Sequence, residues 1–206
     1  MRRGLLLLFG VVVAFHGAVP HQLAVAHGPA SHRGAPPAVR QEIYQRSPLF
    51  SLITQHGERL ALQDLRGRVV LINFIYTSCP DVCPVATAKF ARLQRFTKAA
   101  GLEGQVFLLS ITTDPEIDRS PVLRDYGERY GADFTSWAFL TGSQVELERA
   151  WHGLGVVPVE RTRGDIDHAT MTFLLDRRGR VRLIYLGYGW REEDVVADMA
   201  TLLREP

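Results

Sequence analysis

The hydrophobic positions of the chain fall into short runs that alternate with segments of helical spacing. Residues 68–76 contain an apolar run, and residues 105–111 contain a second. Runs of this length that carry little polar interruption predict strands buried on both faces of a sheet. Further strands are predicted at residues 48–53, 138–140, 171–175 and 180–186.

Four helices are predicted between and after these strands. The first covers residues 85–100, stops at Gly101, and places its large apolar residues close to one face: Val85, Phe90, Leu93 and Phe96. Ser143 and Glu146 form the pattern of a capping box, which predicts a helix from Ser143 to about His152. The other two are predicted at residues 119–130 and 192–203.

The order of these elements predicts an α/β fold. Strands separated by helices favour a parallel sheet, and the late pair of strands around the turn at residues 176–179 adds an antiparallel hairpin. We therefore expect a central mixed sheet flanked by helices. Residues 151–169 show no regular period, and an irregular segment of that length is usually functional or mobile.

The N-terminus has the pattern of a secretory signal peptide. Arg2 and Arg3 precede an apolar run at residues 5–15, and residues 24–26 read Ala-Val-Ala, which fits a cleavage site after Ala26. An uncleaved membrane anchor is the alternative, although the apolar stretch of residues 4–19 is shorter than the roughly 20 residues that a spanning helix needs. Either reading places the body of the protein in the periplasm or an equivalent extracytoplasmic space.

Three segments follow from this organisation. Residues 1–26 are the signal peptide or anchor, residues 27–47 are rich in Pro, Gly and Ala and are expected to form a flexible leader, and residues 48–206 form the domain. The composition is that of a globular protein, with 46% hydrophobic and 22% charged residues. The net charge is only +2, which excludes a basic surface for nucleic acid. We also expect the protein to be a monomer.

The candidate chemistry is concentrated in the segment Thr-Ser-Cys-Pro-Asp-Val-Cys-Pro at residues 77–84. Cys79 and Cys83 are the only cysteines, and they follow a predicted buried strand and open a predicted helix, with Pro84 at its first position. A helix N-terminus favours thiolates, and a separation of four residues brings two thiols to one side of a helical turn. Paired thiolates select soft metals, chiefly Cu(I) and also Zn(II), and the same pair could close into a disulfide.

Two structural alternatives compete with a metal site. A permanent disulfide would staple the strand to the helix, but so short a loop adds little stability to the chain. Two inert buried thiols are disfavoured because Pro80, Asp81 and Pro84 are typical of an exposed loop.

Three histidines of the ordered body are candidates for a third ligand. His56 falls in a predicted turn, and His152 falls at a helix end, where histidine is often a favourable cap. His168 lies in an irregular loop that leads directly into the strand at residues 171–175. In a thioredoxin-like topology that loop faces the start of the first helix, which favours His168.

These segments together resemble the Sco/SenC family of copper proteins. The Cys-Pro-x-x-Cys-Pro motif corresponds to residues 79–84, the Asp-His pair to residues 167–168 and the Asp-Pro-x-x-Asp segment to residues 114–118. The stretches at residues 140–143 and 175–179 match as well, so that the resemblance covers residues 47–204. Ala169 departs from many members, which carry Ser or Thr there; the departure affects a supporting hydrogen bond rather than the ligand itself.

The resemblance implies a thioredoxin-like fold and a copper site made by Cys79, Cys83 and His168. It also implies delivery of copper to the binuclear copper centre of cytochrome c oxidase, so that the expected partner is the oxidase subunit holding that centre or another periplasmic copper protein. Cu(I) and Cu(II) are both expected cargoes, and Cu(II) needs a further donor such as water or Asp81. Association with a membrane would run through the N-terminal segment.

Two functions remain open from the sequence. The first is a copper-binding assembly factor that is not an enzyme. The second is a thiol–disulfide oxidoreductase that reduces cysteines of the oxidase copper site or of other periplasmic targets, with Cys79 as the nucleophile. Copper retention should need His168, whereas thiol exchange should not. Peroxidase activity is disfavoured, because no arginine is placed beside a thiol by a recognisable motif.

Overall fold

The computed structural model describes residues 39–156 and 170–206. Within these ranges eight strands form one sheet in the order β1-β8-β7-β4-β5-β6-β2-β3. The strands are β1 (Val39–Arg46), β2 (Ser51–Thr54), β3 (Arg59–Ala61), β4 (Val69–Ile75), β5 (Val106–Thr112), β6 (Trp137–Thr141), β7 (Met171–Leu175) and β8 (Arg180–Leu186). The helices are α1 (Val82–Ala99), α2 (Ser120–Arg129), α3 (Gln144–Gly153) and α4 (Glu192–Arg204), and a short 3-10 helix covers Leu62–Leu65.

The pairing of the strands confirms the expected mixed sheet. β4, β5 and β6 are parallel, as strands connected through α1 and α2 must be. β7 runs antiparallel to β4 and forms a hairpin with β8, while β2 runs antiparallel to β6. β4 therefore lies at the centre of the sheet, between β5 and β7.

The central strands are apolar throughout because both faces of the sheet are covered. Every residue of β4 and β5 is buried. Val69, Leu71 and Ile75 belong to a core cluster that also holds residues of α1, α2 and α4. Val70 and Ile72 belong to a second cluster with residues of α3 and the 3-10 helix. This alternation along one strand places the helices in two layers around the sheet.

Helix α1 begins three residues earlier than its apolar spacing predicts. Its buried face carries Cys83, Phe90 and Leu93, whereas Val85 and Phe96 are 52% and 39% exposed. The prediction placed these four large apolar residues close to one face, but only Phe90 and Leu93 lie on the buried face. The buried face is instead completed by small and polar residues, among them Ala86, Thr87 and Thr97.

Strand β1 lies within the segment that composition assigns to a flexible leader. Residues 39–46 pair with β8 along the edge of the sheet, although nearly all of their side chains are exposed. A strand that buries neither face has no reason to alternate apolar with polar residues, which is why the sequence does not indicate it. β3 and the 3-10 helix were not predicted either, since each is too short to show a period.

The helix ends follow the predicted signals. Gly101 and Gly131 adopt φ of 70° and 69° just after α1 and α2, a conformation that glycine tolerates best. Ser143 and Glu146 form the expected capping box at the start of α3. In the described ranges, no helix combines the length and the apolar character needed to cross a bilayer.

Candidate metal centre

The cysteine loop, residues 76–83, connects the carboxyl end of β4 to the start of α1. The Cys79 amide donates to the carbonyl of Tyr76 at 3.2 Å, which closes a tight turn before the helix. α1 then starts at Val82, so Cys83 lies in its first turn while Cys79 precedes the helix. The spacing predicted two thiols on one side of a helical turn; the two residues are indeed in contact, but Cys79 lies outside the helix. Pro84 is the third residue of α1 rather than the first, a position that still needs no amide donor.

The two sulfurs are held close through the backbone. The Cys83 amide donates to Cys79 Sγ at 3.4 Å, and both cysteines are free thiols in the structure. Cys83 is fully buried and Cys79 is 7% exposed, although Ser78, Pro80 and Asp81 around them are exposed. The loop is therefore exposed as predicted, while its sulfurs point into the core cluster that contains Tyr76 and Trp190.

The environment separates the two thiols in acidity. Burial raises the pKa of Cys79, but hydrogen bonds from the backbone amides of Cys83 and Asp81 outweigh it and leave that pKa below its ordinary value. Burial raises the pKa of Cys83 far above its ordinary value, and the neighbouring Cys79 adds to the effect. Cys79 is thus the thiol that becomes a nucleophile or a metal ligand more readily.

A buried carboxylate fixes the chain just ahead of Cys79. Asp118 is fully buried and accepts hydrogen bonds from the amide of Thr77 at 3.1 Å, from the hydroxyl of Thr77, and from the hydroxyl of Thr112 at 2.5 Å. Burial raises its pKa, although these hydrogen bonds oppose the shift. The sequence identified Asp118 only as part of a segment that matches the family, without a role. The feature that could have marked it is an acidic residue six positions after the end of a buried strand.

The segment after β8 closes the other side of the cysteine pair. Burial raises the pKa of the Tyr188 hydroxyl, and the nearby sulfurs of Cys83 and Cys79 add to the rise. Trp190 packs in the same cluster, and the ammonium of Lys89 lies 4.3 Å from the centre of its indole ring. Lys89 also pairs with Glu192 at 3.3 Å, which joins α1 to α4. These aromatic residues were missed because nothing near them in the sequence marks a contact with residue 79 or 83.

Two of the three candidate histidines lie in the described part of the structure, and both are exposed as the sequence suggests. His56 is exposed in the turn after β2, and His152 is exposed in the last turn of α3. His168 lies outside the described residues. Among residues 39–156 and 170–206, no three His, Cys, Asp or Glu side chains are grouped as a metal site.

The donor set fits a soft metal ion. Two thiols meet at a helix N-terminus, and one of them already has a lowered pKa. Sulfur pairs of this kind suit Cu(I) better than hard cations such as Mg²⁺ or Ca²⁺. Asp81 is exposed at the N-cap of α1, and its carboxylate makes no capping hydrogen bond. The carboxylate is therefore not committed to capping the helix and could serve as an oxygen donor to a metal ion.

Comparison with known proteins gives a consistent picture. The family model described as SCO1/SenC matches residues 40–204. The chain is 31% identical over 160 residues to a SCO1 protein homolog of Bacillus subtilis (strain 168), and the match covers 76% of this chain and 81% of that relative.

Solved structures agree with this match. BsSco, described as a member of the Sco family of cytochrome c oxidase assembly proteins with a disulfide switch, superposes with a TM-score of 0.71 at 28% identity, over 81% of this chain and 98% of that one. Bradyrhizobium japonicum ScoI with copper bound gives a TM-score of 0.64 at 26% identity, over 76% and 99% of the two chains. These neighbours confirm the thioredoxin-like fold.

Proposed function

Because the chain belongs to the SCO1/SenC family, we propose that it binds copper through Cys79, Cys83 and His168 and delivers it to the copper centre of cytochrome c oxidase outside the cytoplasm. The observation that carries the proposal is the meeting of two free thiols at the N-terminus of α1, with the Cys83 amide directed at Cys79 Sγ. Copper bound to a similar structure, that of B. japonicum ScoI, supports the choice of metal.

The sheet topology supports His168 as the third ligand. Thr172 of β7 pairs with Asn73 of β4, and the two strands run in opposite directions. The chain therefore enters β7 at the end of β4 where the cysteine loop begins. The Thr170 carbonyl accepts a hydrogen bond from the Gly187 amide at 2.7 Å, which ties this point of the chain to the segment carrying Tyr188. His168 is two residues away from that point.

The two cysteines have different roles in holding and releasing copper. Cys83 is fixed by the helix, and its carbonyl accepts a hydrogen bond from the Thr87 hydroxyl at 2.8 Å. Cys79 lies in the preceding turn and is the only one of the two with exposed surface. A partner's thiol or imidazole would therefore approach the metal from the Cys79 side, while Cys83 holds it until transfer is complete.

Substitution of His168 tests the ligand set. We expect His168→Ala to weaken Cu(I) affinity at least 10- to 100-fold, by analogy with losses measured when a group that only supports a ligand is removed. The visible thiolate-to-Cu(II) charge-transfer band should also collapse, since Cu(II) prefers nitrogen and oxygen donors alongside sulfur. His152→Ala, on the exposed end of α3, is the matched control and should leave both unchanged. Equal Cu(I) affinity in the two variants would remove His168 from the site.

Substitution of either cysteine tests the sulfur ligands. Cys79→Ser and Cys83→Ser should each abolish tight Cu(I) binding, because one thiolate and one imidazole make a poor soft site. Ser78→Ala, at the exposed position next to Cys79, is the control. A single cysteine variant that still holds one copper per chain, measured by metal analysis after dialysis against a competing ligand, would contradict the assignment.

The second candidate function is thiol–disulfide exchange, which the unequal acidity of the two thiols favours. The Cys79 thiolate would attack a target disulfide, forming a mixed disulfide and releasing one target thiolate. Cys83, deprotonated in turn, would then attack Cys79 Sγ and release the second target thiol. The target gains two electrons and the Cys79–Cys83 pair becomes a disulfide, to be reduced again by an external thiol. BsSco, a similar structure, has a disulfide switch.

One variant separates the two functions. His168→Ala leaves both thiols in place, so the reduction potential of the pair should change little while copper binding falls. Oxidase assembly in cells that carry the variant then decides between them. Loss of assembly favours copper delivery, and normal assembly favours thiol exchange.

The location follows from the N-terminal pattern of Arg2, Arg3 and the apolar run after them. We expect the protein in the periplasm or an equivalent space. Mass spectrometry of the native protein should find a chain that begins at His27. A chain that retains Met1 in the membrane fraction would instead indicate an anchor.

A further inference from the structure

A cavity of about 400 Å³ opens at the end of the sheet opposite to the cysteine loop. Its walls come from the β1–β2 connection, the 3-10 helix and the turn of the β7–β8 hairpin. The Gly67 amide donates to the Arg177 carbonyl at 2.8 Å, so this turn lies beside the start of β4. Cys79 follows the other end of that strand, about 20 Å away for a strand of this length. The cavity is therefore separate from the candidate metal centre.

The cavity is lined by positive charge alone. Arg46, Arg66, Arg178 and Arg180 line it, and no Asp or Glu does. Arg180 is neutralised by Asp176 at 2.8 Å. In the part of the chain that the structure describes, the guanidinium groups of the other three make no ion pair and no side-chain hydrogen bond. Like charges that share a concave surface repel one another, and an anion between them removes that cost.

A second polar group in the same cavity lacks a partner. Gln63 lines the wall, and its Oε1 atom is buried without a hydrogen-bond donor among the described residues. A buried acceptor without a donor costs free energy, so a turn of the Gln63 side chain toward the cavity, where a ligand can supply an O–H or N–H group, would be favoured.

The walls are fixed to one another before any ligand arrives. The Ser47 hydroxyl donates to the Gly179 carbonyl at 2.5 Å, which joins the β1–β2 connection to the hairpin turn. Leu49, in the same connection, is 69% exposed on the rim. The site thus combines a rigid basic cavity with an apolar residue at its mouth.

We propose that this cavity binds a phosphate ester that carries a neighbouring hydroxyl group. The three unpaired arginines would take the phosphate, for which guanidinium groups are well suited, and the hydroxyl would donate to Gln63. A soluble polyol phosphate and the glycerophosphate headgroup of a lipid share this chemistry. Leu49 at the mouth would contact the carbon chain of either. The proposal does not depend on copper binding.

Titration of the full chain with glycerol 3-phosphate and with inorganic phosphate tests the site. Arg66→Ala and Arg178→Ala should each weaken glycerol 3-phosphate binding about tenfold or more, the loss expected for one charge-assisted contact. Arg95→Ala removes the same charge from the exposed face of α1 and should change nothing. Gln63→Met should weaken glycerol 3-phosphate binding and leave inorganic phosphate unaffected. An unchanged far-UV circular dichroism spectrum and an unchanged thermal unfolding midpoint show that each variant is folded.

Vesicles distinguish the two sources of the ligand. Phosphatidylcholine vesicles with and without phosphatidylglycerol are compared for wild type, Arg66→Ala and Arg95→Ala, all of which share the same N-terminal segment. Tighter binding to phosphatidylglycerol that is lost only in Arg66→Ala identifies a lipid headgroup. Soluble ester binding without that difference identifies a soluble ligand. Failure to bind either probe, or equal losses in Arg66→Ala and Arg95→Ala, would overturn the site.

Discussion

The carboxylate of Asp118 holds Thr77 by both its amide and its hydroxyl, and Thr77 stands two residues before Cys79. Asp118 belongs to the loop between β5 and α2, so the neighbouring strand fixes the cysteine loop from outside. A fully buried carboxylate is costly unless it is well hydrogen-bonded, and here its partners are Thr77 and Thr112. The position of Cys79 thus depends on a residue 39 positions later in the chain.

Replacing this carboxylate should loosen the cysteine loop. We expect Asp118→Asn to lower the free energy of unfolding by about 2 kcal/mol, because the new amide group faces the donors of Thr77 and Thr112. Cu(I) affinity, measured by competition, should fall as well. Asp125→Asn, at an exposed position of α2, is the control. Thr77→Ser keeps both hydrogen bonds and should behave like wild type. Unchanged copper affinity in Asp118→Asn would show that the loop holds its shape without this carboxylate.

The two thiols should differ in their reaction with iodoacetamide. Since the pKa of Cys79 lies below the ordinary value of 9.0, its rate should rise with pH and reach half of its plateau value below pH 9.0. Cys83, buried and with a raised pKa, should stay unmodified until the protein unfolds. Mass spectrometry of the modified sites over a pH series checks both. Faster modification of Cys83 would reverse the roles given to the two thiols.

Alkaline pH should destabilise the fold through buried hydroxyl groups. Burial raises the pKa of Tyr126 above its ordinary value of 10.0, so above pH 10.0 the unfolded chain loses this proton while the folded chain keeps it. The free energy of unfolding must then fall as pH rises. Tyr126→Phe should reduce that fall, at a cost of about 1 kcal/mol at neutral pH from the lost contact with Thr87. A slope as steep in Tyr126→Phe as in wild type would contradict this role of the buried hydroxyl.

The contact between Lys89 and Trp190 should shield the sulfurs. Lys89→Met removes the cation above the indole ring and leaves Glu192 with Arg92 as its remaining partner. We expect a loss of about 1–3 kcal/mol in stability and faster hydrogen exchange in the segment around Tyr188. Lys89→Arg preserves both the charge and the stacking, so its stability and its hydrogen exchange should be close to those of wild type. Exchange around Tyr188 that is as slow in Lys89→Met as in wild type would contradict the contact's role.

The sequence predicted two kinds of element. These are the elements that bury one face and expose the other, and the strands that are buried on both faces. The central strands β4 and β5 are apolar along their whole length because helices cover both faces of the sheet, and such runs are easily recognised. β1 was missed since it is stabilised by pairing with β8 rather than by burial of side chains. Its hydrogen bonds leave no trace in the pattern of apolar residues.

The same distinction applies to the candidate metal centre. Cys79 and Cys83 could be identified because their spacing and flanking prolines are local features. Asp118 and Trp190 could not, since each reaches the cysteine loop through the tertiary fold from a distant part of the chain. The start of α1 was misplaced because Val85 is apolar but exposed, so the pattern alone set the helix beginning there.

The central strand β4 obtains one of its two neighbours, β7, from about a hundred residues further along the chain. While the protein is being synthesised, β4 can pair with β5 early, but its other edge stays open until Met171–Leu175 has emerged. The Gly187 amide and Trp190 follow later still. A nascent or C-terminally truncated chain would therefore carry both cysteines without the residues that enclose them. Enclosure of the cysteine loop on this side therefore needs the nearly complete chain.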